Sequence, residues 1–155
     1  MQLLTKHTDY AIRALLTLAG HADGYLSARY IADEQKIPYQ FLRGLLQELA
    51  RAGFIDSREG AHGGVRLIRD PESISVREVI ELFQGRVELS ECMFRKQMCA
   101  NRANCVLRHQ IMRIERMVST EFDKVTIASL LGDLQEVNRL SERKAAMADA
   151  SKSEE

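Results

Sequence analysis

Two apolar-periodic segments separated by Lys36-Ile37-Pro38 constrain this 155-residue chain more than any other feature. A proline inside a helix removes a hydrogen bond and clashes with the preceding turn, at about 3 kcal/mol, so one helix must end here and another begin. Upstream, Ser27 is a good N-cap for a short helix through about Gln35, with Tyr30 and Ile31 on its apolar side. Downstream, Pro38 fits the first position of a helix whose face is Phe41, Leu42, Leu45, Leu46 and Leu49, and Gly53 provides its stop. A further helix precedes the pair: from Thr8, residues Ala11, Ile12, Leu15, Leu16, Leu18 and Ala19 recur at helical spacing until Gly20.

After Gly53 the period changes from helical to alternating. Phe54-Ile55-Asp56-Ser57-Arg58 and Val65-Arg66-Leu67-Ile68 read as strands joined by Gly60-Ala61-His62-Gly63-Gly64, a loop long enough to project from the body. Ser75-Val76-Arg77-Glu78 is a capping box opening a helix that ends near Gly85. Beyond the weakly periodic residues 86–105, Leu107, Ile111, Ile114, Val118, Phe122 and Val125 mark a long amphipathic helix. About twenty helical residues extend roughly 30 Å, too far for a small head, so this helix is expected to pack on a second copy of itself. A short apolar segment, Ile127 to Leu131, precedes a charged, Ala/Ser-rich tail expected to be disordered.

The fold class is therefore mainly α with a small β-hairpin wing: a winged helix-turn-helix head plus a long dimerisation helix. The expected divisions are 1–85 for the DNA-binding head, 86–105 for a cysteine loop, 106–137 for the dimerisation helix and apolar segment, and 138–155 for the tail.

A winged helix-turn-helix can lay its third helix in the major groove and reach a neighbouring groove or the phosphates with its hairpin. Tyr39, Gln40 and Arg43 are the expected base-facing residues; Gln suits adenine and Arg suits guanine. Arg51, Arg58, His62 and Arg66 are candidates to hold phosphates, with Gly63 and Gly64 permitting close backbone approach. The net charge is zero, yet residues 36–69 carry six Lys/Arg against three Asp/Glu and residues 86–117 carry seven against three, balanced by an acidic end. That distribution excludes a general nucleic-acid coat and fits a localised interface. No apolar run approaches the roughly 18 residues that span a bilayer, and the N-terminus has no secretion signal, so a cytoplasmic protein without membrane contact is expected. No nucleophile-base pair, phosphate-binding glycine loop or paired-carboxylate motif stands out, so an enzyme is not expected.

The three cysteines are spaced Cys92-x6-Cys99-x5-Cys105. An odd number within so few residues does not make a disulfide framework, and clustered reduced thiols point to a metal. Soft thiolates suit an iron-sulfur cluster or zinc, and the absence of paired Cys-x2-Cys knuckles favours the cluster. A fourth ligand is needed, with His109 and Asp9 as candidates. The rival reading is a metal-free or zinc-stabilised regulator whose thiols oxidise reversibly.

Over about residues 1–135 the chain resembles the IscR/NsrR-type winged-helix regulators of bacteria. The resemblance rests on Met1-Gln2-Leu3, on Thr8-Asp9-Tyr10-Ala11-Ile12-Arg13-Ala14-Leu15, on Phe41-Leu42 through Leu49 to Gly53-Phe54-Ile55, on Gly63-Gly64-Val65-Arg66-Leu67, on Ile74-Ser75-Val76, and on the three cysteines. It implies a homodimer joined by the long helix, a cluster near the dimer interface, and binding to a near-palindromic double-stranded operator, usually to repress; of the cluster types, four-iron (4Fe-4S) is expected ahead of two-iron (2Fe-2S). It also implies that Asp9 ligates the other subunit's cluster, which places Asp9 ahead of His109 and nitric oxide among the candidate signals, beside redox state and iron-sulfur status. The chain departs from the family in its six-residue first cysteine spacing, in a histidine four rather than three positions after Cys105, and in Glu59-Gly60 where family wings commonly read Arg-Gly.

Overall fold

The computed structural model describes residues 4–21, 24–60, 63–89 and 104–152, with side chains through residue 144. Helix α1 spans Lys6–Gly20 and begins where Thr5 accepts the N–H of Thr8. Its buried face is Thr8, Ala11, Ala14, Leu15, Thr17 and Leu18, the three-and-four spacing that aligns side chains along one side of a helix. Helix α2, Ala28–Gln35, starts at Ser27, whose Oγ accepts the Tyr30 N–H at 3.0 Å. It ends at Lys36, the one described non-glycine residue with positive φ, 54°. That left-handed residue turns the chain sharply into α3, Tyr39–Arg51.

Pro38 stands one place earlier than expected, as the N-cap of α3 rather than its first residue. Its carbonyl already accepts the Leu42 N–H at 3.0 Å while its ψ of 125° is still extended, the defining conformation of a cap. Helix α3 buries Leu42, Leu45, Leu46 and Leu49, and Gly53, with φ 75°, releases the chain into the wing.

The wing is an antiparallel pair, β1 (Ile55–Arg58) and β2 (Gly64–Leu67), in the register Ile55↔Leu67, Asp56↔Arg66, Ser57↔Val65 and Arg58↔Gly64. The sequence pointed to two strands; the structure adds a rung. Leu26 exchanges both backbone hydrogen bonds with Val65, at 2.9 and 2.8 Å, on the free edge of β2. Covering an edge in this way removes a template for unwanted pairing.

A 3-10 turn, Pro71–Ser73, leads to α4, Val76–Gln84, capped by Ser75 and closed by Gly85 at φ 78°. Helix α5 spans Val106–Lys124 and α6 spans Ile127–Lys152. The joint between them docks on the head: Val76 N–H donates to the Val125 carbonyl at 2.8 Å and Ile127 N–H to the Ile74 carbonyl at 3.0 Å. Ile127 is fully buried in the head core beside Leu15, Ile31, Leu42, Leu49, Ile74 and Val79. Each such aliphatic side chain contributes about 1.5–3 kcal/mol by leaving water. Helix α1 runs through the middle of this core, packed on α3, α4 and α6.

Residues 138–152, expected to be a disordered tail, continue α6 as helix. The stretch holds Arg139, Leu140, Glu142, Arg143, Lys144 and several alanines, all strong helix formers, and an Arg139–Glu136 pair lies along its surface. Low hydrophobicity indicates that a segment lacks a core of its own, which is a different matter from lacking helical propensity. No helix among the described residues is long and apolar enough to cross a membrane.

Candidate nucleic-acid interface and thiolate site

The first turn of α3 is exposed because its apolar face points the other way, into α1 and the core. Gln40 and Arg43 are exposed on it, and Tyr39 is half-buried. The Tyr39 ring lies against two guanidiniums, Arg43 at 6.0 Å and Arg29 of α2 at 5.0 Å. Such cation–ring contacts limit the rotamers of long side chains and so present their charges in place. An open cleft of about 530 Å³ separates α3 from the wing, lined by Tyr39, Arg43, Gln47, Arg51, Arg58 and Glu59 among others. The fold thus gathers Tyr39, Arg43, Arg51, Arg58 and Gly64 around one cleft, with Gln40 just outside it. Arg51 is paired with Glu48 at 2.5 Å, an exposed contact that a phosphate can replace.

Arg66 lies on the solvent face of the wing, 3.9 Å from Asp56. His62 lies outside the described residues. The two glycines serve the wing itself: a Cβ at Gly63 would stand 2.2 Å from the Arg58 carbonyl oxygen, and one at Gly64 2.3 Å from that of Leu26. Their tight approach is to the chain's own backbone.

Sequence reasoning missed Arg29 and Tyr25. Arg29 carried no signal beyond a positive charge early in α2, since only the fold brings it to Tyr39, ten positions on. Tyr25 sits in an aperiodic stretch whose pairing with the wing is non-local.

Of the thiols, Cys92 and Cys99 lie outside the described residues. Cys105 is a half-buried free thiol at the N-cap of α5, its Sγ accepting the Arg108 N–H at 3.4 Å. This orientation places the sulfur at the positive end of the helix, a favourable position for an anionic ligand. Soft sulfur presented at the edge of the cysteine segment fits an iron-sulfur donor set. Asp9 is exposed in the first turn of α1, 3.7 Å from Arg13, which also donates to the Gln35 carbonyl at 3.3 Å. His109 lies exposed in the first turn of α5, its N–H donating to the Cys105 carbonyl. Among the described residues no three His, Cys, Asp or Glu side chains converge into a metal site.

The segment from the Thr5 cap to α4 is tied by a second polar group. The fully buried Thr8 hydroxyl donates to Gln84 Oε1 at 2.7 Å, and the Thr5 N–H donates to the same oxygen at 2.9 Å. The start of α1, which carries Asp9, is thereby fixed to the end of α4, after which the cysteine segment begins.

Comparison with known proteins agrees with this architecture. Residues 4–133 match the family model Rrf2, described as an iron-dependent transcriptional regulator. The HTH-type transcriptional regulator NsrR of Bacillus subtilis is 29% identical over 143 residues, covering 91% of this chain and 98% of that protein. Among solved structures, T. potens IscR superposes with a TM-score of 0.69 at 25% identity, covering 86% of this chain and 89% of that one. Staphylococcus aureus CymR in its oxidized form gives 0.65 at 26% identity, covering 84% and 96%. A winged-helix head of matching topology and a family match across most of the sequence lead to one conclusion: this chain is a member of the Rrf2 family of DNA-binding transcriptional regulators.

Proposed function

We propose that the protein is a homodimeric repressor of near-palindromic operators whose DNA affinity is set by an iron-sulfur cluster held by Cys92, Cys99 and Cys105. The observation that carries this reading is the position of Cys105. It caps the start of α5, the helix with no buried residue in the single chain, so the thiol segment runs directly into an apolar surface awaiting a second copy. A cluster there would lie at the dimer seam, as the resemblance to the IscR/NsrR type implies. The hard carboxylate of Asp9 of the partner subunit would complete a four-iron site, with His109 as the competing ligand. A bound cluster supplies iron with one weakly held corner, open to nitric oxide or to oxidative loss. The residues of this chain then do three things. The cysteines fix the loop, the Thr8–Gln84 contact holds the first turn of α1 against α4, and the first turn of α3 with the wing grips DNA in the cytoplasm.

Anaerobic purification tests the cluster directly. Brown protein with iron and acid-labile sulfide in about equal amounts is expected. Colourless protein that cannot be reconstituted overturns the cluster. An oxidized form of CymR, a fold neighbour at 26% identity, favours thiol oxidation as the second reading. In that case peroxide alone changes DNA affinity of metal-free protein, and replacing Cys105 by Ser abolishes the response.

A further inference from the structure

Strand alternation puts Asp56 and Arg58 of β1 and Arg66 of β2 on the solvent face of the wing, with Asp56 directly opposite Arg66 in the ladder. Opposite charges so placed ordinarily pair with each other. Here they form a long ion pair, 3.9 Å between Arg66 Nε and Asp56 Oδ2, and a third residue shares that oxygen. The Tyr25 hydroxyl donates to Asp56 Oδ2 at 2.5 Å, the same oxygen that Arg66 Nε approaches. The guanidiniums of Arg58 and Arg66 lie 4.9 and 5.1 Å from the centre of the Tyr25 ring. One tyrosine therefore engages the carboxylate with its hydroxyl and both cations with its ring.

Gly64 makes this possible. The segment carrying Tyr25 is bonded to β2 through Leu26, and a side chain at position 64 would strike the Leu26 carbonyl oxygen at 2.3 Å. Only glycine lets that segment lie close enough to set the ring against the arginines. The Tyr25 phenol is also raised above its usual pKa, chiefly by the hydrogen bond to Asp56, as expected of a hydroxyl committed to a carboxylate.

We propose that Tyr25 is a positioning residue for phosphate contact: its ring holds Arg58 and Arg66 side by side, and its hydroxyl competes for the Asp56 oxygen, keeping the Asp56–Arg66 pair long so that Arg66 can exchange it for a DNA phosphate. This deepens the reading of the wing as a DNA contact and rests on it. Without the hydroxyl, Asp56 would turn to Arg66 and neutralise it at the expense of a phosphate contact.

The test uses the full-length protein and a mixed-sequence DNA duplex, with affinity followed over a KCl series. Tyr25→Phe keeps the ring and removes the hydroxyl. It is expected to weaken binding about fivefold, as for one lost charge-assisted contact, and to reduce the slope of log affinity against log salt by about 0.9, the value of one phosphate. Adding Asp56→Asn to Tyr25→Phe is expected to restore both quantities, while Asp56→Asn alone changes them less. A packing role for Tyr25 gives no such rescue. An unchanged slope in Tyr25→Phe overturns the proposal, as does an Asp56→Asn gain of equal size with and without the hydroxyl. Should Tyr25→Phe fail to fold, Arg66→Gln replaces it: the slope must fall by about 0.9, and an unchanged slope overturns the proposal. Wild-type protein showing no salt-dependent duplex binding would sink the DNA reading of the wing together with this proposal. Salt-dependent wild-type binding with flat variants would sink the role of Tyr25 alone.

Discussion

Helices α1 and α5 are both long and amphipathic in sequence, yet α1 buries six residues within the chain and α5 buries none. In α1 the apolar stripe meets α3, α4 and α6. In α5 it leaves Val106, Leu107, Met112, Ile114 and Met117 substantially exposed. The same periodicity thus has two meanings. It marks a face that favours being covered; for α1 the cover is found among the described residues, and for α5 the proposed second copy would supply it. A head that closes on itself and an arm whose apolar side chains stay exposed is the arrangement that the proposed dimer would use to set two heads apart.

The largest expected effect tests the closed half. Leu42→Ala removes a fully buried side chain at the centre of the head and should destabilise the protein by about 2–5 kcal/mol, read from the urea midpoint. A loss below 1 kcal/mol at this site, by the same scale, would mean that the head is far more loosely packed than its geometry indicates. The open half should respond differently. Ile114 is 48% exposed in the single chain, so Ile114→Glu should leave the far-ultraviolet dichroism of the head unchanged. If a second copy covers this face, the substitution should shift the sedimentation equilibrium toward monomer by about 1.5–3 kcal/mol for each chain. A monomer–dimer distribution indifferent to Ile114→Glu would remove α5 from the dimer seam.

The middle of the scale belongs to the polar contact that closes the head. Thr8 is fully buried with its hydroxyl on Gln84, and Thr8→Val keeps the shape while deleting the donor. A loss of about 0.5–1.5 kcal/mol is expected in thermal or urea unfolding. If the protein holds the proposed cluster and the clasp positions Asp9 on it, that cluster should bleach faster in air in the Thr8→Val protein than in the wild type.

What the sequence made legible follows from which interactions are local. Ser27, Gly53, Ser75 and Gly85 act within a few residues of themselves, and each ends or begins an element where it was expected to. The apolar faces of α1 and α3 were readable because Leu15, Leu18, Leu42, Leu45 and Leu49 repeat at helical period. The exposure of Gln40 and Arg43 on the first turn of α3 follows from which face the apolar residues leave over. What escaped were the contacts that only folding creates: Leu26 pairing across to Val65, Arg29 meeting Tyr39, and Tyr25 lying against Arg58 and Arg66. No pattern in residues 21–27 announces a third strand, because a single rung has no period. The tail escapes for the opposite reason: its composition speaks only to burial, whereas helix propensity decides its conformation. Cys105 was legible as a thiol in a loop, but its place as the cap of α5 required knowing where that helix begins.

The smallest effect lies at the boundary between the two halves. Arg77 on α4 donates to Glu81 on its own helix at 2.9 Å and to Asp123 near the end of α5 at 2.6 Å. Its pKa is raised further by those partners, the hydrogen bond to Asp123 first, so the guanidinium keeps its charge across the whole range of ordinary buffers. The groups are more than a third exposed, and solvent screens them, so Arg77→Gln should cost only about 0.2–1 kcal/mol, less at high salt. The joint has a second attachment that salt does not touch, the Val76–Val125 and Ile74–Ile127 backbone bonds with Ile127 seated in the core. Arg77→Gln is therefore expected to leave α5 docked and to alter only its angle to α4. A double-mutant cycle with Asp123→Asn isolates the pair, and a coupling well above 1 kcal/mol would show that the arm hangs on charge rather than on the buried isoleucine.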